Sequence, residues 1–299
     1  MATIYAGIIT YNSDTERLKQ NIGAVFPQVK GLVIVDNGSD NISEIRRLVK
    51  KFDDDNSDGK IFLIENSKNL GVAKALNQIM SESASKGKAD WVLTLDDDTV
   101  VYDNIIAMYE PYLELSLNKS IHPASLTCLR RDRNYAEKNN NGSKTDMGNG
   151  KMPEYEFVHT CITSGNLLSV SAWKAVGGFD ERLFIDMVDD EFCLRLEEND
   201  YDIIRVNSYG YLHEMGNNLI KVSFLGKSKT IFAYSEMRKY YTARNITYIN
   251  RRYRAILRGN KSYTRYLWKR IIGTILYEKN KIKGLRAYIK GIREGKKMC

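Results

Sequence analysis

The chain has 299 residues, 43% of them hydrophobic, with four scattered cysteines and a formal net charge of +8. This composition supports one large domain, or one domain with an appendage. Because no CxxC pair occurs, we expect neither a zinc site nor a disulfide framework, and a reducing cytosol fits best. No charged segment precedes the first apolar run and no stretch approaches roughly 18 apolar residues, so we expect neither a signal peptide nor a membrane span.

Charge is distributed unevenly along the chain. Residues 1–218 contain 23 Lys and Arg against 34 Asp and Glu, whereas residues 219–299 contain 22 against 3. The alternation of strand and helix patterns also stops near Leu219. We therefore predict a catalytic or binding domain at 1–218 and a basic helical C-terminal region at 219–299.

The first hundred residues alternate between strand and helix patterns. Strands are predicted in TIYAGIITY, VKGLVIVDNGSD, KIFLIENSKNLG and ADWVLTLDDD, and helices in the three segments between them, SDTERLKQNIGAV, NISEIRRLVKKF and VAKALNQIMSESASKG. This order predicts an α/β fold with a mostly parallel sheet flanked by helices. Residues 130–157 are rich in Asn, Gly and charge without periodicity, and we expect a mobile loop there.

Polar clusters follow each of the four predicted strands. Because ligands bind beyond the carboxyl ends of the strands in such sheets, we expect these clusters to lie on one binding edge. The acidic cluster, Asp96–Asp98, contains adjacent carboxylates that repel one another. On an extended chain the side chains of Asp96 and Asp98 point the same way. A solvated acidic turn is the alternative to a cation site, but the companion clusters favour the site. The four clusters are Thr10–Asn12, Asp36–Ser39, Asn69–Gly71 and Asp96–Asp98.

Seven motifs, in their order and spacing, resemble those of family 2 glycosyltransferases, especially the bacterial rhamnosyl- and galactofuranosyltransferases. The resemblance covers about residues 3 to 216. It implies a Rossmann-like GT-A fold, a nucleotide-sugar donor, a divalent metal and inversion at the anomeric carbon. The motifs are TYN, VDNGSD, NLGVAKALN, LDDD, SGNLLSVSAWKAVGGFDE, VDDEFCLRL and LHEMG.

The resemblance assigns two groups of donor-side residues. Asp96, Asp98 and His213 would hold Mn²⁺ or Mg²⁺, for which oxygen and imidazole ligands are suitable. A structural histidine is the alternative for His213, and a turn residue is the alternative or additional role for Asp36. The residues expected to line the nucleotide-sugar pocket are Thr10, Tyr11, Asn12, Asp36, Asn37, Asn69, Gly71, Asp96 and Asp97.

A second carboxylate group follows in VDDEFCLRL. Inversion requires one general base to remove the acceptor proton, and the family's spacing of six residues before Arg195 selects Asp189. Asp190 departs from the family's usual small or apolar residue, which leaves open which of the pair acts. For Glu191, simple charge at a helix N-terminus is the alternative. The residues expected near the donor and acceptor sugars are Ser164, Gly165, Asn166 and Asp190.

The basic C-terminal region alternates apolar and aromatic residues with Lys and Arg at helical spacing. This pattern suits an anionic membrane surface, and packing on the acidic domain or a homo-oligomer contact are the alternatives. We expect no nucleic-acid partner because no RNA- or DNA-reading motif accompanies the charge. The expected location is the cytoplasm, peripherally at the inner face of the cell membrane.

Together these features predict an inverting, metal-dependent glycosyltransferase for bacterial cell-surface polysaccharide. The favoured donors are dTDP-rhamnose and UDP-galactofuranose, ahead of UDP-glucose and UDP-galactose, and the expected acceptor is a glycan or a polyprenyl-diphosphate-linked glycan. The alternative is an inactive GT-A protein that binds a nucleotide-sugar or a nucleic acid. Asp189 and His213 discriminate the two, since a binding protein would need neither a base nor a complete metal site.

Overall fold

The computed structural model describes residues 2–55, 60–113, 115, 121–132, 153–213, 219–224, 227–232, 234–257, 263–278 and 280–298. Most of the predicted loop, residues 133–152, lies outside them. The ends of that loop prediction are wrong, because residues 130–132 and 155–157 pair in the sheet. The main sheet contains β1 (Ile4–Thr10), β2 (Gly31–Asp36), β3 (Lys60–Glu65), β4 (Trp91–Asp96), β5 (Val100–Val101), β6 (Pro123–Asp132), β7 (Tyr155–Phe157), β8 (Asn166–Ser169) and β9 (Asp202–His213).

Helices cover the sheet and continue beyond it. Those of the first 218 residues are α1 (Thr15–Val25), α2 (Ile42–Asp54), α3 (Val72–Ser85), α4 (Ile105–Leu113), α5 (Val170–Ala175) and α6 (Val188–Glu198). The C-terminal region begins with a hairpin, β10 (Leu219–Phe224) and β11 (Lys227–Phe232), where a helical region was predicted. Its helices are α7 (Glu236–Arg252), α8 (Thr264–Tyr277) and α9 (Lys281–Lys297).

The sheet is mostly parallel, as predicted. Its described strands follow the order β3-β2-β1-β4-β8-β6-β9-β5, and β7 also pairs with β9. β1 pairs in parallel with β2 and β4, and β2 pairs in parallel with β3. β8 is antiparallel to both β4 and β6, so β6 and its parallel partner β9 run in the direction of β4. Six strands therefore end at one edge.

Apolar residues cover both faces of this sheet because successive side chains of a strand point to opposite sides. In β2, Val33 and Val35 pack with α3 and α6 residues, whereas Leu32 and Ile34 pack with residues of α1 and α2. Gly7 of β1 faces Ile79 so closely that an added Cβ would collide with the Ile79 side chain. The central strands are thus fixed from both sides, which gives the polar ends of the strands a rigid base.

The C-terminal helices share the core of the first 218 residues. Tyr248 and Ile249 of α7 and the following Tyr253 belong to the same buried cluster as residues of α3 and α6. α9 packs against α7 through Gly291 and Gly295, where an added Cβ would meet the backbone of α7. Among the described residues, no helix combines the length and apolarity needed to cross a bilayer. The division at 218/219 stays a prediction, but the two parts are in extensive contact.

Candidate active site

Predicted site residues end three neighbouring strands, β2, β1 and β4, and the more distant β9. Thr10 ends β1, Asp36 ends β2, Asp96 ends β4 and His213 ends β9. The register pairs Thr10 with Asp36 and Ile9 with Asp96, so these ends are level with one another. The carboxyl edge of the sheet therefore gathers the polar clusters as the sequence predicts.

Asp96, Asp98 and His213 form a compact cluster at this edge. One ligand atom from each lies within 4.8 Å of the others, and His213 Nδ1 is 3.2 Å from Asp98 Oδ1. Two carboxylates and an imidazole are a donor set that fits a divalent first-row cation. Because β4 and β9 are distant in sequence but end at the same edge, the fold itself brings these three ligands together.

The electrostatics of the cluster also favour a cation. Burial raises the pKa of Asp96 to about 6, and repulsion from Asp98 and Asp97 adds to this, although the charge of His213 opposes it. Burial alone would lower the pKa of His213, but its hydrogen bond to Asp98 and the nearby carboxylates leave it raised. A bound cation would relieve the carboxylate repulsion and replace the proton on the imidazole.

Hydroxyl and amide groups hold this cluster in place, and three of them, from Ser13, Asn21 and Thr99, were missed by sequence reasoning. The Asp96 amide donates to Ser164 Oγ at 3.1 Å, and Asn21 Nδ2 donates to the Asp96 carbonyl at 2.7 Å. Thr99 Oγ1 lies 2.6 Å from Ser164 Oγ and 3.1 Å from His213 Nδ1. Ser13 Oγ donates to Asp97 Oδ2. Only the proximity of Ser13 and Thr99 to recognised motifs could have indicated them.

Asp36 is a turn residue with little room for a ligand. Its carboxylate is buried and accepts from Thr10 Oγ1 at 3.0 Å, Ser39 Oγ at 2.5 Å, and the amides of Gly38 and Ser39 at 3.1 and 2.9 Å. These four donors match the roughly four acceptor positions of a carboxylate. The turn role is therefore observed, and direct contact of Asp36 with the nucleotide stays a prediction.

Asn37 joins the donor-side loops. Its Nδ2 donates to Asn69 Oδ1 at 3.1 Å and to the Gly71 carbonyl at 3.2 Å, and its Oδ1 accepts from the Leu70 amide at 2.9 Å. Gly71 has φ of 88° and no room for a Cβ against Phe184, which explains the glycine. This network fixes the wall of the predicted pocket.

Tyr11 and Asn12 follow β1, beside the turn that follows β2. Tyr11 is 51% exposed. Asn12 is fixed because its backbone amide donates to Ser39 Oγ and its Oδ1 accepts from the Asp40 amide, both at 2.8 Å. An exposed aromatic ring beside an ordered turn suits stacking on a nucleobase.

Of the residues predicted to lie near the sugars, Ser164, Gly165 and Asn166 make structural contacts, whereas Asp190 contributes a carboxylate. Ser164 and Asn166 are buried, and Asn166 Oδ1 accepts from Ser125 Oγ at 2.7 Å. Gly165 has φ of 73° and would collide with the Tyr211 ring if it carried a Cβ. These residues shape the floor of the site in the structure, and their direct contact with sugars stays a prediction.

Asp189 lies at the N-terminus of α6 and is only weakly hydrogen-bonded. Its Oδ2 accepts from the Thr163 amide at 3.3 Å. Burial raises its pKa to about 7, with repulsion from Asp190 and Asp96 as further causes. Asp189 lies beside the cation cluster, because its partner Thr163 adjoins Ser164, whose Oγ accepts from the Asp96 amide. A half-buried carboxylate with a pKa near neutrality is suited to accept a proton.

The two carboxylates that follow Asp189 in the chain, Asp190 and Glu191, make stronger contacts. Asp190 Oδ1 accepts from Thr160 Oγ1 at 3.1 Å and from the Tyr263 hydroxyl at 2.9 Å. Glu191 is buried in an ion pair with Arg195 at 2.8 Å and accepts from the Tyr253 hydroxyl at 2.6 Å. Glu191 therefore stabilises α6, and Asp189 is the less constrained carboxylate of the group.

A sheet of this topology with a carboxylate-histidine cluster at its carboxyl edge agrees with the expected GT-A fold. Residues 5–168 match the family described as Glycosyl transferase family 2, which is more than half of the chain. The protein therefore belongs to family 2 of the glycosyltransferases. It is 28% identical over 255 residues to the dTDP-rhamnosyl transferase RfbF of Shigella flexneri, covering 82% of this chain and 78% of that protein. The predicted resemblance to rhamnosyltransferases is confirmed.

Solved structures confirm the predicted fold. The mannosyltransferase PcManGT from Pyrobaculum calidifontis, in complex with GDP-Man and Mn²⁺, has a TM-score of 0.57 at 12% identity and covers 100% of this chain and 76% of that one. S. aureus TarS 1-349 in complex with UDP-GlcNAc has a TM-score of 0.57 at 15% identity, covering 98% and 80%. At these identities the likeness shows the fold alone.

Proposed function

We propose that the protein is an inverting, divalent-metal-dependent rhamnosyltransferase that uses dTDP-rhamnose. The observation that carries the proposal is an Asp96-Asp98-His213 cluster with a separate carboxylate, Asp189, linked to it through the adjacent residues Thr163 and Ser164. The rhamnose donor is supported by the similarity to RfbF, and Mn²⁺ is supported by its presence in the PcManGT complex. UDP-galactofuranose is the second donor candidate.

The Asp96-Asp98-His213 cluster and Asp189 have different roles in the displacement. When bound by Asp96, Asp98 and His213, a divalent cation would supply positive charge to neutralise the donor diphosphate. Asp189 accepts the acceptor hydroxyl proton while that oxygen forms a bond to the anomeric carbon. The bond to the diphosphate breaks, and its electron pair leaves with the nucleoside diphosphate. A single base of this kind produces inversion.

The exposed pocket residues suit a nucleoside diphosphate. Tyr11 offers a ring for stacking, Asn69 and Gly71 form one wall, and Asp97 lies beside the cation cluster for the ribose or donor sugar. Thr10, Asn12, Asp36 and Asn37 hold the turns that carry these groups. We infer that the acceptor is a glycan or a polyprenyl-diphosphate-linked glycan of a bacterial cell-surface polysaccharide.

A donor panel tests this assignment. With Mn²⁺ present, we expect dTDP-rhamnose to raise the melting temperature more than UDP-galactofuranose, UDP-glucose or GDP-mannose, because a ligand that binds only the folded state stabilises it. Turnover should follow the same ranking. A clear preference for UDP-galactofuranose in both measurements would replace rhamnose as the donor.

The surface of α8 and α9 supports peripheral membrane binding. These helices carry seven of the ten large apolar side chains that are exposed among the described residues. Trp268 and Ile272 share one face of α8 with the exposed Arg265 and Lys269. Apolar side chains between cations match an anionic bilayer surface, where apolar burial adds to attraction of the headgroups. We propose this surface as the contact with the inner face of the membrane.

A double substitution, W268A with I272A, should weaken binding to phosphatidylglycerol vesicles at least about tenfold, since each buried side chain contributes on the order of 1.5–3 kcal/mol. Sedimentation with anionic and neutral vesicles measures this. Exchange of the exposed residues Lys19→Ala and Lys30→Ala is the matched control. Deletion from Lys261 is a poorer test because it also removes Tyr263 from Asp190. Unchanged vesicle binding, or loss of a dimer in ultracentrifugation, would overturn the membrane assignment.

A further inference from the structure

The segment before the catalytic helix has an unusual backbone. Phe184, Asp186 and Met187 have φ of 58°, 63° and 62°, and none of them is glycine. Left-handed conformations cost roughly 1–2 kcal/mol for residues with a Cβ. Met187 is the N-cap of α6, two residues before Asp189. This segment, the 184–187 loop, therefore needs support from its surroundings.

Asn245 of α7 supplies much of that support. Its buried Nδ2 donates to the carbonyls of Leu183 and Ile185 at 2.9 Å and of Asp186 at 2.8 Å. Its Oδ1 accepts from Arg244 Nε at 2.9 Å, which fixes the orientation of the amide. One side chain thus binds three of the four carbonyls from Leu183 to Asp186, in a segment that forms neither a regular helix nor a strand.

The same face of α7 contacts the loop at three further points. Asp186 accepts from Arg238 Nε at 3.0 Å and from Thr242 Oγ1 at 2.7 Å. The Phe184 ring stacks on Tyr241, with centroids 4.9 Å apart and planes at 19°. These contacts recur at the spacing of helical turns, so α7 binds the loop along its length.

On its other side the loop contacts the donor wall, the part of the predicted nucleotide-sugar pocket formed by Asn69 and Gly71. The Val72 amide donates to the Phe184 carbonyl at 2.6 Å, at the N-terminus of α3. The Met187 carbonyl accepts from the Glu191 amide at 3.0 Å, in the first turn of α6. The loop therefore connects α7 to both the donor wall and the helix that carries Asp189.

We infer that Asn245 is a positioning residue for turnover: it holds the 184–187 loop in its left-handed conformation and so places the Asp189 carboxylate. The inference rests on the proposed role of Asp189. Without the three hydrogen bonds, the loop can relax toward ordinary backbone conformations and the first turn of α6 shifts with it. The basic C-terminal region, through α7, then contributes to turnover by positioning Asp189.

Asn245→Ala should lower kcat on the order of 10- to 10²-fold, as small displacements of a catalytic group do. Affinity for the nucleoside diphosphate should stay within about threefold, because Asn37 separately holds the donor wall. Asn199→Ala is the matched control, since Asn199 Nδ2 donates to the Arg195 carbonyl at 2.8 Å at the opposite end of α6. The control should retain full kcat.

A double-mutant cycle separates positioning from general stability. In an Asp189→Asn background, Asn245→Ala should cost less than about twofold, because the group it positions is already gone. The milder Thr242→Val, which keeps the side-chain shape, should behave in the same way and guards against misfolding. Hydrogen exchange of the amides of residues 184–191 should accelerate in both variants and stay unchanged in Asn199→Ala.

The outcomes are distinguishable. If Asp189→Asn retains full turnover, the base assignment fails. If Asp189→Asn lowers turnover as expected to a measurable residual rate, and Asn245→Ala costs the same factor in both backgrounds or leaves exchange of residues 184–191 unchanged, the positioning role of Asn245 is overturned while the proposed function stands.

Discussion

Asp189→Asn is expected to lower kcat on the order of 10²-fold or more, with nucleotide affinity little changed. The substitution keeps the shape of the side chain and its contact with the Thr163 amide, but it removes the proton acceptor. The loss appears in turnover because the proton is transferred only as the acceptor attacks. Steady-state kinetics with isothermal titration of the nucleoside diphosphate measures both quantities.

Asp190→Asn is the matched control for this prediction. Asp190 Oδ1 accepts from Thr160 and Tyr263, and asparagine retains an oxygen that can accept both hydrogen bonds. We therefore expect a smaller loss of turnover. An inactive Asp190→Asn together with a nearly normal Asp189→Asn would mean that the adjacent carboxylate is the base.

The pH profile gives an independent readout of the same group. Burial and the charges of Asp190 and Asp96 raise the pKa of Asp189 to about 7, and a base works only when deprotonated. The rate should therefore fall as the pH decreases below this pKa. A cation beside Asp96 removes part of the repulsion, so the inflection of the holoenzyme should lie at or below about pH 7. This inflection should disappear from the residual rate of Asp189→Asn.

Removal of the metal site should have an effect of comparable size. Asp98→Ala is expected to lower turnover on the order of 10²-fold or more and to weaken Mn²⁺-dependent binding of the nucleoside diphosphate, because the diphosphate charge is then not neutralised. EDTA should abolish turnover of the wild type. Asp103→Ala, which removes an exposed carboxylate from the next turn, is the matched control. Full turnover in EDTA would exclude the metal role.

The sequence predicted the edge of the sheet well because that edge depends on local patterns. Strand periodicity located β1 to β4, and a parallel sheet necessarily places Thr10, Asp36 and Asp96 at one edge. His213 is different, since it lies 114 residues beyond Thr99 in the chain. Its place next to Asp98 came only from the family resemblance, and the compact cluster in the structure agrees with it.

The contacts of the C-terminal region could not be predicted in this way. Asn245 bonds to the 184–187 loop and Tyr263 bonds to Asp190 across about 60 and 73 residues of chain. Such hydrogen bonds leave no periodic signal, and Asn245 lies in a helix whose strongest sequence feature is its charge. The charge imbalance suggested a separate unit, whereas packing depends on buried residues such as Tyr248 and Ile249. The hairpin at Leu219–Phe232 was missed because its short strands follow no helix-strand alternation.

The configuration of the released sugar tests the central claim most directly. With Mn²⁺ and dTDP-rhamnose, time-resolved NMR of the anomeric proton can follow slow donor hydrolysis, in which water takes the place of the unidentified acceptor. A single displacement assisted by Asp189 predicts that the first sugar formed has the anomeric configuration opposite to that of the donor, and that Asp189→Asn slows its formation. A first-formed sugar with the configuration of the donor would contradict the proposed mechanism.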